Sequence, residues 1–273
     1  MSGKFESTDP GEIQVPLGTA TAARMYDEAL GGKDNYDVDR AANARLYATI
    51  GEDRVRSTAM ENRRFLGRAV RFLSRECGVR QFLDVGSGLP TVRNTHEIAM
   101  EADPQARVVY VDIDPIVAAH GAALLSGGST RVITADMREP DSVLDHPVVG
   151  EMLDFDKPIA VLFVAVFHFV TPAEDPARIV SAFRARQAPG SYVAISHLTT
   201  DGMSDDEQAG WRAGFDGATV PLVLRSKAEI GDLFAGYELV APGLVRPWQW
   251  QPFGEDSPRT TSLYGGVGVR SGS

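Results

Sequence analysis

Three acidic residues stand where short apolar runs give way to turns, and their spacing suggests one shared ligand. The first run closes as FLDVGSGLP, residues 82–90, placing Asp84, Gly86 and Gly88 in a D-x-G-x-G pattern at the passage from a strand to a helix. Glycines there let the chain turn sharply and let a ligand lie against bare backbone, although such a turn can also be a turn and nothing more. The second run, RVVYVDIDP, ends in Asp112 and Asp114. A carboxylate at Asp112 can accept hydrogen bonds from both hydroxyls of a ribose, whereas Asp114, directly before Pro115, has the setting of a helix N-cap. The third run, in TADMREP, ends in Asp136 and Met137, a carboxylate able to accept from an adenine amino group beside an apolar side chain able to pack on its ring. The alternative for each acid is an ordinary cap or loop residue. A dinucleotide fingerprint would need a third glycine at position 91, where Thr91 follows Pro90, so G-x-G-x-x-G fails.

The elements that must position these residues follow from the hydrophobic pattern. VRQFLDV, ARVVYVD, STRVITAD, PIAVLFVAV and GSYVAIS read as strands. The helices between them are expected over about Val92–Glu101, Pro115–Leu125, a short stretch before residue 158, and Asp175–Gln187. Five strands alternating with helices predict an α/β fold with a doubly wound, mostly parallel sheet, because parallel neighbours require crossover connections. In such sheets ligands bind at the carboxyl ends of the strands, where all three acids fall. The rhythm then changes: helices near 204–214 and 226–235 precede two further strands, YELVAP and TSLYGGVGVR. Upstream, Phe65, Leu66, Ala69, Val70 and Leu73 recur at helical spacing, and Gly31-Gly32 and Gly51 divide residues 19–74 into about three helices. The expected organisation is a loose tail over 1–18, a helical cap over 19–78 and the sheet domain over 79–273.

Composition narrows the function. The chain has 273 residues, 43% hydrophobic, with a net charge of −10, which argues against nucleic acid as the main partner. Residues 51–80 are a local exception, with eight Arg against four acids, a charge of +4 that reads as a solvated helix face or an anion site. The best apolar run, 159–170, is too short to span a bilayer and contains His168; the N-terminus has no apolar signal core, so a cytoplasmic location is the default. The single Cys77 can make neither an internal disulfide nor a thiolate cluster, and no metal site is expected.

With these residues in view, the chain resembles the class I S-adenosylmethionine-dependent methyltransferases. The resemblance implies a Rossmann-like seven-stranded sheet with a reversed last strand, and S-adenosyl-L-methionine as cofactor, leaving as S-adenosyl-L-homocysteine. It implies Asp84 at the cofactor's amino group, Gly86, Ser87 and Gly88 along its methionine part, Asp112 with Ile113 at the ribose, and Asp136 with Met137 around the adenine. The family's frequent third glycine is Pro90 here. ARMYDEALGGKDNYDVDR (23–40), ENRRFLGRAVRFL (61–73), QFLDVGSGLPT (81–91), VVYVDIDPIVAAHG (108–121), DFDKPIAVLFVAVFHFV (154–170) and GSYVAISH (190–197) look like a largely actinobacterial methyltransferase family long catalogued as a domain of unknown function. The resemblance runs from about Ala20 to Val269.

Methyl transfer is an in-line displacement that asks a protein to orient a nucleophile about 3 Å from the methyl carbon and to exclude water. His168, just beyond the fourth strand, is the candidate general base for a hydroxyl or amine acceptor; His197, after the fifth strand, is a candidate substrate contact. The alternative for both is a hydrogen-bonded structural histidine. In the N-terminal segment the Gly31-Gly32 pair can fold the chain over a pocket, bringing Arg24 to the cofactor carboxylate and Tyr26, Asn35 and Tyr36 to a substrate, or the tyrosines can simply pack on the sheet. Trp211, Trp248 and Trp250 can line the substrate side or anchor loops. A small-molecule O- or N-methyltransferase is the leading expectation. The alternatives are a non-catalytic S-adenosylmethionine-binding regulator or partner protein and, disfavoured by Asp84 and Thr91, an NAD(P)-dependent oxidoreductase. Oligomeric state is left open.

Overall fold

The computed structural model describes residues 18–90, 93–124, 128–251 and 259–272. Residues 1–17 of the expected tail, and Val92 and Leu125 at the ends of two expected helices, lie outside the described residues. The strands are β1 (Gln81–Val85), β2 (Arg107–Asp112), β3 (Thr130–Thr134), β4 (Ala160–Val164), β5 (Tyr192–Leu198), β6 (Glu238–Leu239) and β7 (Leu263–Val269). They form one seven-stranded sheet in the order β3-β2-β1-β4-β5-β7-β6. β1 to β5 pair in parallel, and β7 runs antiparallel to both β5 and β6. The doubly wound sheet with a reversed last strand is therefore the observed fold.

Strand order reverses between β1 and β4, and at this switch point a parallel sheet opens a crevice beyond its carboxyl edge. The glycine turn after β1 sits there against the turn after β4. Gly86 has φ +70°, and a Cβ on it would lie 2.3 Å from Val166 Cγ2, so only glycine fits. Ala165, beside Val166, is itself left-handed at φ +59°, an uncommon conformation for a residue with a Cβ.

The N-terminal segment forms α1 (Ala22–Ala29), α2 (Asp37–Ile50) and α3 (Glu52–Arg75). Gly51, at φ +93°, separates α2 from α3. Packing divides the expected 19–78 cap. The second half of α3 belongs to the sheet, because Phe65, Ala69, Val70 and Leu73 are fully buried in one cluster with Phe82, Val108, Leu162 and Val267. Phe65, Val70 and Leu73 each contribute about 1.5–3 kcal/mol on burial. The first half of α3 packs instead with α1 and α2: Val55 and Ala59 share a second cluster with Ala29, Leu46, Leu198, Trp211 and Leu263.

The helices after β1, β2 and β4 are α4 (Thr95–Ala102), α5 (Pro115–Leu124) and α8 (Pro176–Arg186). Between β3 and β4 the single short helix expected becomes two, α6 (Pro140–Leu144) and α7 (Pro147–Met152), because Pro147 cannot continue a helix and starts a new one under a His146 cap. α9 (Asp205–Gly214) lies across α2 by way of Gly210 and Gly214, where a Cβ would come within 2.6 Å of Thr49 and Leu46. α10 (Lys227–Asp232) follows. Among the described residues, no helix is long and apolar enough to cross a membrane.

Candidate active site

A cavity of about 450 Å³ opens at the switch point. One part of its wall comes from strand ends: Asp84, Gly86, Ser87, Gly88, Asp112, Ile113, Asp136 and Met137 all line it. The glycine turn is tied to β2 by backbone: Gly86 and Ser87 N–H both donate to Val111 O, at 2.8 and 3.1 Å. Asp112 completes the tie. Its Oδ2 accepts from Gly88 N at 2.8 Å and its Oδ1 from Asp114 N at 3.0 Å. Burial pushes the Asp112 carboxyl up to about 6, with the two backbone donors pulling against that rise. Asp84 is likewise raised by burial to about 6, opposed by a 2.6 Å bond from Thr95 Oγ1 and by Arg63. Asp114 caps α5 through Ile116 N, 3.0 Å, and also accepts from Thr21 Oγ1 at 3.1 Å, which ties α1 to the strand edge.

Asp136 sits on the wall with its carboxylate already gripped: Arg138 Nε and Nη2 approach its oxygens at 2.7–2.9 Å, and Arg138 Nη1 reaches Glu174 at 3.0 Å. Arg138 had no assigned part in the sequence pattern. Met137 is buried beside it.

His168 lies in a short turn, Phe167–Phe169, following β4, and also lines the cavity. It is buried, and its Nδ1 has no partner in the protein. Burial, then the neighbouring His197 and Arg225, hold its pKa well below the ordinary value, so the imidazole is neutral. The His197 ring stands edge-on to it with centroids 5.4 Å apart. His197 itself does not reach the cavity wall. Its Nε2 meets Arg225 Nη1 at 2.7 Å and its Nδ1 meets Leu198 O at 2.6 Å. Because the guanidinium only donates, Nε2 accepts and the proton sits on Nδ1. Burial pushes its pKa down to about 3. Arg225 also donates to Phe167 O and Val170 O, at 2.8 and 2.7 Å, and so holds both ends of the His168 turn.

The rest of the wall comes from helices. Tyr26 lines it, with its hydroxyl donating to Ala59 O at 2.9 Å and accepting from Asn62 Nδ2 at 3.0 Å. Asn62 Oδ1 accepts from Ser196 Oγ at 2.5 Å, and Ser196 Oγ accepts from the N–H of the left-handed Ala165 at 2.9 Å. This chain of bonds joins α1, α3, β5 and the turn after β4. Arg63, also on the wall, donates through Nη2 to Arg93 O and Asn94 Oδ1, while its buried Nε has no partner. Neither Asn62 nor Arg63 was singled out from sequence; the only signal was their place in ENRRFL.

Three of the expected N-terminal contacts lie off the wall. Arg24 is wholly buried, with its Nε 2.9 Å from Asp39 Oδ2 and its Nη2 donating to Thr19 O, and it stacks over the Tyr36 ring at 5.0 Å. Asn35 donates to Asp27 Oδ2 at 2.9 Å, bracing the Gly31-Gly32 turn, and Tyr36 is among the exposed large side chains. Trp211 lines the cavity, whereas Trp250 is packed edge-on to Phe65 and Phe72.

A seven-stranded sheet with one reversed strand and a glycine-and-acid cavity at its switch point defines a class I S-adenosylmethionine-dependent methyltransferase. The chain belongs to the S-adenosyl methyltransferase family, whose model matches residues 9–271. It is 41% identical to a methyltransferase candidate from Thermobifida fusca YX over 93% of this chain and 96% of that one, with a TM-score of 0.87. It is 36% identical to a domain-of-unknown-function family protein from Streptomyces avermitilis MA-4680, over 92% and 98%, with a TM-score of 0.84. No curated protein matches it. Family membership fixes S-adenosylmethionine as the cofactor and removes the nicotinamide reading.

Proposed function

We propose that the protein methylates an oxygen or nitrogen atom of a small molecule enclosed in the cavity, and that His168 accepts the proton the acceptor loses. The observation that carries this reading is the state of His168: a neutral, buried imidazole on the cavity wall, in a turn clamped at both ends by Arg225. A base must be unprotonated to act, and burial supplies that condition at neutral pH.

The strand-end wall fits the cofactor. Gly88 has φ +66° and a Cβ there would meet nothing within 4 Å, so the turn leaves open space beside bare backbone. Asp112 has lone pairs beyond the two backbone bonds it accepts, enough to take a vicinal diol. Asp84, ionised at neutral pH, is suited to the amino group, and Arg63, on the same cavity wall, to the carboxylate. Ile113 and Met137 offer apolar surface, and Asp136, already charge-paired, has lone pairs left for an amino donor. When bound, S-adenosylmethionine supplies a methyl carbon made electrophilic by the sulfonium. The chain holds the acceptor, keeps water out and takes up the proton.

Incubation with methyl-labelled S-adenosylmethionine and a small-molecule cell extract is expected to place label in the small-molecule fraction. His168→Gln should slow transfer by about 10²–10⁴-fold with S-adenosylhomocysteine affinity unchanged in calorimetry. Label confined to protein or nucleic acid, or a His168→Gln rate equal to wild type, would overturn the proposal.

A further inference from the structure

The helical part of the cavity wall carries information about the acceptor. Tyr26, Leu46, Val55, Phe169, Trp211 and Phe215 line it from α1, α2, α3, the His168 turn and the segment around α9, so its surface is aliphatic and aromatic. The cation on this wall among the described residues is Arg63, which also borders a small adjoining void with Asp84, Ser87 and Gly88 and so stands at the glycine-turn end. The nearby charged side chains of α1, α2 and the start of α3 are spent on each other or on backbone: Arg24 on Asp39, Arg56 on Glu28 and Glu52. A carboxylate or phosphate on the acceptor would therefore be buried here without a counter-ion, which is strongly unfavourable.

Several polar side chains on this part of the wall are bonded within the protein: Tyr26 and Asn62 bond each other, Asn43 donates to Met25 O and Glu28, and Thr58 bonds Arg54 O. His168 Nδ1 and the Trp211 indole nitrogen have no partner, but both are covered by protein and do not open onto the cavity.

We infer that the acceptor is an uncharged, largely apolar ring compound that bears the reacting hydroxyl or amine near His168. This rests on reading the cavity as the acceptor site. The aromatic side chains suit a flat ring, and the aliphatic surface beside them offers a charged group no partner.

The test is equilibrium binding, read by fluorescence titration on the full chain saturated with S-adenosylhomocysteine, near pH 6.5. The probes are two matched pairs: 2-naphthol with 6-hydroxy-2-naphthoic acid, and 7-hydroxycoumarin with 7-hydroxycoumarin-3-carboxylic acid. Each neutral probe should bind at least about tenfold tighter than its carboxylated partner. If the carboxylated probes bind as tightly as the neutral ones, or no neutral probe binds, the inferred class is wrong although the cofactor site stands. Failure of S-adenosylhomocysteine itself to bind would instead remove the underlying site reading.

Discussion

The strand-end wall and the helical wall of the cavity are built from different materials. At the strand ends, Asp112 and Asp114 are anchored by backbone N–H groups and Asp84 by Thr95 at the start of α4, and the glycine turn is itself hydrogen-bonded to β2. Little there can shift without breaking sheet structure. Across the cavity, α1, α2, α3 and α9 share an apolar cluster and are tied to one another by ion pairs, Arg24–Asp39, Arg56–Glu28 and Arg54–Glu207, with polar threads to the strands such as Tyr26–Asn62–Ser196 and Thr21–Asp114. Toward the cavity, one wall presents bonded backbone and carboxylates and the other presents mainly aliphatic and aromatic side chains. The contrast supports assigning cofactor to one wall and acceptor to the other, and it can be broken experimentally.

The largest expected effect is on the strand-end side. Asp112→Ala should weaken S-adenosylhomocysteine binding by about 2–3 kcal/mol, through lost bonds to the ligand and release of Gly88 N. Calorimetry that finds unchanged affinity in a folded variant would separate Asp112 from the cofactor. On the helical side, Leu46→Ala should destabilise the fold by about 2 kcal/mol, at the low end for a buried leucine because the site borders a cavity. Its S-adenosylhomocysteine affinity should stay within about twofold of wild type; a loss as large as that of Asp112→Ala would mean the two walls act as one.

Acid should also act on one wall alone. Asp84 and Asp112 titrate near 6 in the free protein, above the ordinary carboxylate value, because burial disfavours the charge. Their raised values make the free protein lose stability as pH rises from about 4 to about 6, where the folded chain holds protons that the unfolded chain has released. Cofactor donors favour the ionised form, so S-adenosylhomocysteine affinity should be full above about pH 7. It should fall as pH drops through 6, by up to about 1.4 kcal/mol per unit for each carboxylate. His168 and His197 are shifted the other way and stay neutral across this range. Neutral acceptor probes should therefore bind equally at pH 7 and pH 5.5. A parallel fall in both affinities would erase the distinction.

Legibility in the sequence followed the same division. The strand ends could be read because D-x-G-x-G, an acid closing the next strand and a third acid beyond it obey a rule of sheet topology, and Asp114 before Pro115 has local cap chemistry. The helical wall could not. Its residues come from segments nearly 200 positions apart, and no local pattern says which face of α1 meets which face of α9. Arg24 was legible as a basic residue in a motif, but its partner Asp39 lies in the next helix, and that pairing is decided by tertiary packing. The +4 of residues 51–80 proved to be neither plain solvation nor one anion site: Arg54, Arg56, Arg68, Arg75 and Arg80 each pair with an acid, and Arg63 faces the cavity. The apolar period of 65–73 was visible, yet periodicity alone does not distinguish a helix packed on helices from one packed on a sheet. Arg225 sits in a loop 28 residues beyond the His197 it bonds, a distance no motif spans.

The smallest expected effect probes the seam between the walls. Thr21 caps α1 through its hydroxyl, which accepts from Arg24 N at 3.4 Å and donates to Asp114 Oδ2 at 3.1 Å. Thr21→Val keeps the shape and removes both bonds, so the fold should lose about 1 kcal/mol, within the usual range for a lost cap. Asp114 keeps its bond from Ile116 N, so the β2 edge and Asp112 should hold their positions. S-adenosylhomocysteine affinity should then change by less than about twofold, while 2-naphthol affinity falls several-fold as α1 loses its tie to the strand edge. If the cofactor affinity falls as far as that of the probe, the seam transmits strain into the glycine turn, and the helical wall takes part in holding the cofactor as well as the acceptor.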